Sequence, residues 1–235
     1  RRTIPNSPTM KRIFYAALLA IASLLVSFPA AAQHFTCAQY ETDAKRWQDI
    51  EQLFKRQGWA QWALAVKDAF PLNNDRSIQF KYVIASDVAC SQKQLTDLVQ
   101  KWITLEHPNV LPLPSGQTVD LKVQTLWDNV AHSYRVFSAA YVSAKSETFV
   151  EFKENRLRIT VTVSRYVMGA ASPFQINSDT PLVGDCYPFD LNGKWKNVLA
   201  MAYINSNQKA LDQVASLLNY LNRHTATPSK ADKDW

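Results

Sequence analysis

Cys90 stands directly before Ser91, and Ser91 with Gln94 three residues later is the spacing of a helix-capping box. A thiol at the mouth of a helix lies close to the partial positive charge of the helix N-terminus, which favours the thiolate. Cysteine nucleophiles also need a base and a group that orients it. The sequence sets no histidine near Cys90, so a buried or disulfide-bonded Cys90 is the simpler reading. With Cys37 and Cys186 there are three cysteines and no CxxC. One disulfide and one thiol would leave three pairings open; alternatively all three are small buried hydrophobes.

The remaining chemistry is sparser. His34, His107, His132 and His224 are far apart and form no HxxxH or HExxH pair, so no metal site is assigned. Asp179, Asp185 and Asp190 share a proline-containing stretch. Paired carboxylates can cleave glycosidic bonds, but aspartates among prolines are commonly turn formers. No serine lies in a GxSxG motif, and five glycines in 235 residues exclude a Gly-rich phosphate loop. The sequence therefore assigns no catalytic residue, no cofactor and no metal ligand.

Non-covalent binding has better candidates. Trp59 and Trp62 could line a groove for a glycan, lipid or peptide, although docking of an N-terminal helix onto a sheet is the preferred reading. Arg158, Thr160, Thr162 and Tyr166 alternate with Leu157, Ile159, Val161 and Val163, and so share one face of a strand. That face is either solvated or a shallow binding platform. These six residues, Trp59, Trp62, Arg158, Thr160, Thr162 and Tyr166, form the candidate ligand surface.

Compartment and charge are linked. Lys11 and Arg12 precede an uncharged, mostly apolar run from Ile13 to Phe28, then Pro29 and three alanines. This order predicts a secretory signal cut between Ala32 and Gln33. A permanent membrane helix usually needs ~20 apolar residues, so membrane attachment is expected only if the leader is retained. Residues 1–9 read as an upstream extension, with Met10 the expected start. The whole chain carries +6; Arg1, Arg2, Lys11 and Arg12 leave with the leader, which has no acid, and residues 33–235 keep +2. The basic character that would suggest nucleic acid mostly departs, and no nucleic-acid partner is expected. The expected address is the periplasm or the exterior.

The elements that must position these residues follow from periodicity. Tyr40, Ala44, Trp47, Ile50 and Phe54 mark one face of a helix over 38–57 that Gly58 ends, and a second short helix runs toward Pro71. Residues 78–85 predict a strand with Ile78, Phe80, Tyr82 and Ile84 on one face. A helix from Ser91 to about Glu106 carries the stripe Leu95, Leu98, Val99, Trp102 and Ile103. Residues 107–117 are a loop. Strands are expected over 119–127, 133–142, 149–153 and 157–167, the last two as a hairpin through Glu154-Asn155-Arg156. Residues 169–194 are expected to be irregular, followed by helical segments over 196–203 and 207–222. The fold class is α+β: an antiparallel sheet of about five strands with helices on one face, preceded by an amphipathic N-terminal helix. The expected organisation is a leader (1–32), a helical lead-in (33–75), an α+β domain (76–223) and a frayed tail (224–235).

Residues 76–223 resemble an exported bacterial family of unknown function with a TATA-binding-protein-like fold, found in Gram-negative envelope proteins. The likeness lies in IQFKYVIA, SQKQLTDLVQKWI, FVEFKENRLRITVTVSRY, the Tyr187-Pro188-Phe189 loop and the closing amphipathic helix, all behind an export signal. The resemblance implies a fold and a compartment, with no activity attached, and the fold name does not carry DNA binding with it. The expectation is a non-enzymatic binding or interaction module; the alternative is a small hydrolase or thiol enzyme whose residues converge only in the fold.

Overall fold

The computed structural model describes residues 35–107, 113–114, 120–135, 138–172, 175–186 and 196–225. The leader, His34, the Tyr187-Pro188-Phe189 loop and the tail beyond Thr225 lie outside the described residues. In chain order the elements are β1 (Phe35–Thr36), α1 (Ala38–Phe54), a 3-10 turn (Lys55–Gln57), α2 (Trp59–Ala69), β2 (Ile78–Ser86) and α3 (Gln92–Glu106). Then come β3 (Leu113–Pro114), β4 (Leu121–Arg135), β5 (Ser138–Lys153), β6 (Arg156–Ser172), β7 (Gln175–Asp179), a second 3-10 turn (Val183–Cys186) and α4 (Lys196–His224).

The strands form one antiparallel sheet in the order β1-β2-β6-β5-β4-β3, and β7 joins β6 where β2 has ended. Alternation decides its two faces. Ile78, Phe80, Tyr82 and Ile84 of β2, Leu157, Ile159, Val161 and Val163 of β6, and Val150 and Phe152 of β5 are buried on the inner face. The helices lie on that face: α4 contacts β1, β2, β4, β5 and β6, α3 contacts β5, β6 and α4, and α2 packs on α4. The α+β class and its one-sided helical layer therefore stand as the sequence predicts. Each fully buried side chain such as Leu95, Trp102 or Leu217 contributes on the order of 1.5–3 kcal/mol.

The first helices join this core through aromatic contacts. Trp47 of α1 meets Phe70, Phe70 meets Phe80, and Phe80 stacks on Tyr82, with centroid separations of 5.8, 5.6 and 6.1 Å. Tyr40 meets Tyr82 edge-on at 5.9 Å, and the Tyr82 hydroxyl donates to Asp43 Oδ2 at 2.8 Å. The capping box at α3 forms as its spacing predicts: Ser91 Oγ accepts from Gln94 N–H at 3.2 Å, and Gln94 Oε1 accepts from Ser91 N–H at 2.9 Å.

Four expectations are corrected. The strands expected over 119–127, 133–142 and 149–153 are two long ones, β4 and β5. The Asp128-Asn129 pair, a turn signal, is absorbed as a bulge between Trp127 and Ala131, with Asn129 in the left-handed region at φ +50°. The polar run Ser143–Thr148 stays in β5 because its inward hydroxyls find partners, Ser146 Oγ lying 2.6 Å from Thr125 Oγ1. Residues 169–179, expected to be irregular, extend β6 and form β7. The two closing helical segments are one 29-residue helix. Its Asn205-Ser206-Asn207 stretch does not interrupt it, because Asn205 Nδ2 donates to the Val130 carbonyl at the bulge (2.7 Å) and Asn207 Nδ2 to the Tyr203 carbonyl (2.8 Å).

The fourth correction concerns Tyr166. Ser146 pairs with Val163 but Lys145 pairs with Arg165, so Ser164 is an extra residue in β6. Ser164 and Arg165 both face outward and the alternation reverses beyond them. Tyr166 is consequently fully buried, not on the polar face with Arg158, Thr160 and Thr162.

Candidate functional site

The outer face of the sheet is the solvent side of the layer, and its register can be read row by row. At one end Lys153 lies opposite Arg156 and Glu151 opposite Arg158, with Val83 of β2 on the far side of Arg158. The next row runs Lys122, Phe149, Thr160, Lys81, and the one after it Gln124, Glu147, Thr162, Gln79. Each of these side chains is exposed or half-buried. Rows along one strand are about 6.7 Å apart and neighbouring strands about 4.8 Å apart.

Local chemistry orders this lattice. Arg158 grips Glu151 through two parallel hydrogen bonds from Nε and Nη2. These bonds to Arg158 hold the Glu151 carboxyl below the usual carboxylate range and push the guanidinium up. Lys122 Nζ contacts Glu147 Oε2 at 2.7 Å, and Gln124 Nε2 donates to the same oxygen at 2.9 Å. Burial would raise the Glu147 carboxyl, but these two partners outweigh it and its pKa falls. Gln79 Nε2 donates to Thr162 Oγ1 at 3.3 Å. Lys81, Lys153 and Arg156 make no ion pair within hydrogen-bonding distance among the described residues. A depression of about 340 Å³ opens at this end of the face, lined by Val83, Glu151, Lys153, Arg156, Leu157 and Arg158.

The hairpin turn that shapes the depression also pins the helical layer. Asn155 takes φ +58°. Its carbonyl accepts from Ser86 N–H (2.8 Å), its N–H donates to the Cys90 carbonyl (3.0 Å), and its Oδ1 accepts from Cys90 N–H (2.8 Å). Cys90 is thus held by backbone bonds to a turn asparagine and is buried. Burial pushes its thiol pKa up, with Glu154 adding to the rise, opposite to what a nucleophile at a helix mouth requires. Cys37 is likewise buried with a raised thiol pKa, and none of the three cysteines is in a disulfide.

The other candidates separate. Trp59 and Trp62 stack at 5.5 Å, but Trp62 is 6 % exposed and both rings pack with the core in the helical layer, away from the outer face. The structure therefore brings Arg158, Thr160 and Thr162 together on one surface and excludes Tyr166, Trp59 and Trp62 from it. Asp185 pairs with Arg76 at 3.4 Å, while the side chains of Asp179 and Asp190 lie outside the described residues. Among the described residues no three His, Cys, Asp or Glu side chains gather as a metal site requires, and no helix is long and apolar enough to cross a membrane. The sequence reading missed Lys81, Val83, Glu151, Lys153 and Arg156 as neighbours of Arg158. For Glu151, Lys153 and Arg156 the signal was the hairpin turn, whose link is Glu154-Asn155 rather than the expected Glu154-Asn155-Arg156, so that Lys153 faces Arg156 and Glu151 faces Arg158. Lys81 and Val83 depend on the β2–β6 register.

No protein-family model matches the chain, and no curated protein matches it. Two solved structures are similar to it. A TBP-like protein from Parabacteroides distasonis is 10% identical, with a TM-score of 0.44 over 67% of this chain and 99% of that one. A DUF4468 family protein from Bacteroides ovatus is 14% identical, with a TM-score of 0.39 over 68% of this chain and 92% of that one. The first carries the fold name that the sequence resemblance implies. The α+β class stands on the chain's own strand pairing.

Proposed function

We propose that this chain is an exported binding module of the bacterial envelope, non-enzymatic, whose ligand lies on the outer face of the sheet. The observation that supports this is the one-sidedness of the layer: the helices occupy the inner face, while the outer face presents Arg158, Thr160 and Thr162 amid further polar and cationic side chains. The ligand is a glycan, lipid or peptide of the envelope. The leader supports export on its residue order alone, with cleavage before Gln33. A thiol-enzyme reading is disfavoured by the buried, raised thiol of Cys90.

Hydrogen exchange with and without members of a glycan, lipid and peptide panel, chosen by thermal shift, tests the reading. Ligand-dependent protection concentrated in β2, β5 and β6 is expected. Protection confined to α3 and α4, or turnover of a panel member, overturns it. N-terminal sequencing of the protein recovered from the envelope is expected to begin at Gln33; recovery in the cytosol with the leader intact overturns the export part.

A further inference from the structure

We infer that the outer face, taken as the ligand surface proposed above, receives an acidic polysaccharide running along β6, with a carboxylated sugar seated in the depression beside Arg156 and Lys153. The track is laid out by alternation: Arg156, Arg158, Thr160 and Thr162 project from β6 on one face, spanning about 20 Å over three intervals at the usual rise of a strand. Cations hold one end and hydroxyls the other.

Charge complementarity identifies the anionic end. Two of the cations on this face are already matched, Arg158 by Glu151 and Lys122 by Glu147. Lys153 and Arg156 make no ion pair among the described residues and line the depression together, while Lys81 lies in the Thr160 row; Lys81 and Lys153 also help to hold the Glu151 carboxyl low without pairing with it. The depression of about 340 Å³ is of the size that accepts a single ring-sized group. A carboxylate there would meet Lys153 and Arg156 without displacing the Arg158–Glu151 pair.

The rest of the track decides the polymer's class. Thr160 and Thr162 offer hydroxyls, Gln79 and Gln124 offer amides, and the half-buried Phe149 ring lies beside Thr160. Hydroxyl-rich rings match this set by hydrogen bonds and by stacking on the aromatic. An anionic bilayer lays its charge over the whole face and would meet Glu147 and Glu151 together with the cations, whereas a single polymer chain can set its carboxylate at Lys153 and Arg156 and turn hydroxyls toward those two carboxylates. An extended acidic peptide binds sheets most readily at an edge, where its backbone groups find backbone partners; a face offers only side chains.

The test is calorimetric titration of the protein with oligogalacturonate of defined length and its neutral methyl ester, poly-glutamate and phosphatidylglycerol vesicles being run alongside. Oligogalacturonate is expected to bind with an affinity that falls as salt rises. The ester, and the Lys153→Ala/Arg156→Ala variant with the acid, are each expected to bind about tenfold more weakly or worse. Thr160→Val/Thr162→Val is expected to lose a smaller factor, with melting temperature unchanged in both variants. Equal binding by the Lys153/Arg156 variant, or absence of any oligogalacturonate binding, overturns the inference. Tighter binding of poly-glutamate or vesicles overturns the sugar assignment in favour of a peptide or a membrane. Equal binding of the neutral ester overturns the anionic assignment, and if it still protects β5 and β6 from hydrogen exchange the outer-face reading survives; protection elsewhere removes both.

Discussion

Asn222, near the end of α4, holds the backbone of Phe35 with both atoms of its amide: Oδ1 accepts from Phe35 N–H at 2.8 Å and Nδ2 donates to the Phe35 carbonyl at 3.0 Å. The amide takes the place of a neighbouring strand. Phe35 faces Ser86 on one side as part of β1, and Asn222 satisfies its outward N–H and C=O, so this edge presents no open pair there. The Phe35 side chain is 1 % exposed, so the same bonds position a core residue.

Asn222→Ala removes both partners from a part-buried backbone and is expected to cost about 1–3 kcal/mol in urea unfolding. Asn222→Asp keeps the acceptor for the N–H and loses the donor. The Phe35 amide should therefore exchange fastest in the alanine variant and at an intermediate rate in the aspartate variant. An unchanged rate in both would show that β1 is held by its pairing with β2 alone.

How far the sequence could disclose these features depended on range. Features set within a few residues were legible: the Ser91–Gln94 cap, the stop at Gly58, the inward set Ile78, Phe80, Tyr82 and Ile84. Features set by pairing were not. Asp128-Asn129 carries the composition of a turn, and only its fit between Trp127 and Ala131, opposite Ala144 and Val142, makes it a bulge. Asn205 looks like a helix breaker until its amide meets the Val130 carbonyl from another element. The candidate site shows the same division. Thr160 and Thr162 follow from alternation, whereas Lys81 enters only through β2–β6 register, which no local pattern encodes.

Gly58 links the first 3-10 turn to α2 at φ +96°, ψ 160°, a region that is essentially glycine's alone. Beyond its own chain neighbours a Cβ built there meets nothing within 4 Å, so the strain is confined to the local backbone. Gly58→Ala is expected to destabilise by roughly 1–3 kcal/mol, measured by denaturant midpoint against the exposed neighbour Gln57→Ala as control. Equal midpoints for the two variants would mean that the α1–α2 junction relaxes at no cost.

His107 caps the end of α3, with its Nε2 3.2 Å from Gln213 Nε2 and its ring edge-on to Trp102. Burial lowers its pKa below the usual 6.5, against a smaller opposing pull from Glu106. The unfolded chain therefore takes up the proton first. Stability is full above pH 6.5 and declines as pH falls from there through the lower folded value. Glu147 and Glu151 have folded values below the usual 4.5, so their contribution is present above 4.5 and is lost only beneath it, in a separate window. His107→Asn should flatten the slope just below pH 6.5 and leave the more acidic decline in place. A slope that persists in the variant would assign it to another group.

The extra residue in β6 makes two single-residue deletions informative. Removing Ser164 leaves Val163 inward opposite Ser146, Arg165 outward opposite Lys145 and Tyr166 inward opposite Ala144, a regular ladder with the same core. Removing Thr162 also restores a regular ladder, but it turns Val163 outward and Ser164 inward. The two proteins have equal length and the same number of strand residues, so unfolded-chain effects nearly cancel. The Thr162 deletion should be less stable than the Ser164 deletion by about 1.5–3 kcal/mol, the value of burying one valine. Tyr166 should stay inaccessible to solvent in the Ser164 deletion, as read by tyrosine titration, since burial raises its hydroxyl pKa above the ordinary phenol range. If the Ser164 deletion instead exposes Tyr166, the reversal of faces is set by what packs on Tyr166, whose N–H donates to the Pro181 carbonyl at 3.0 Å, and not by residue count along the strand.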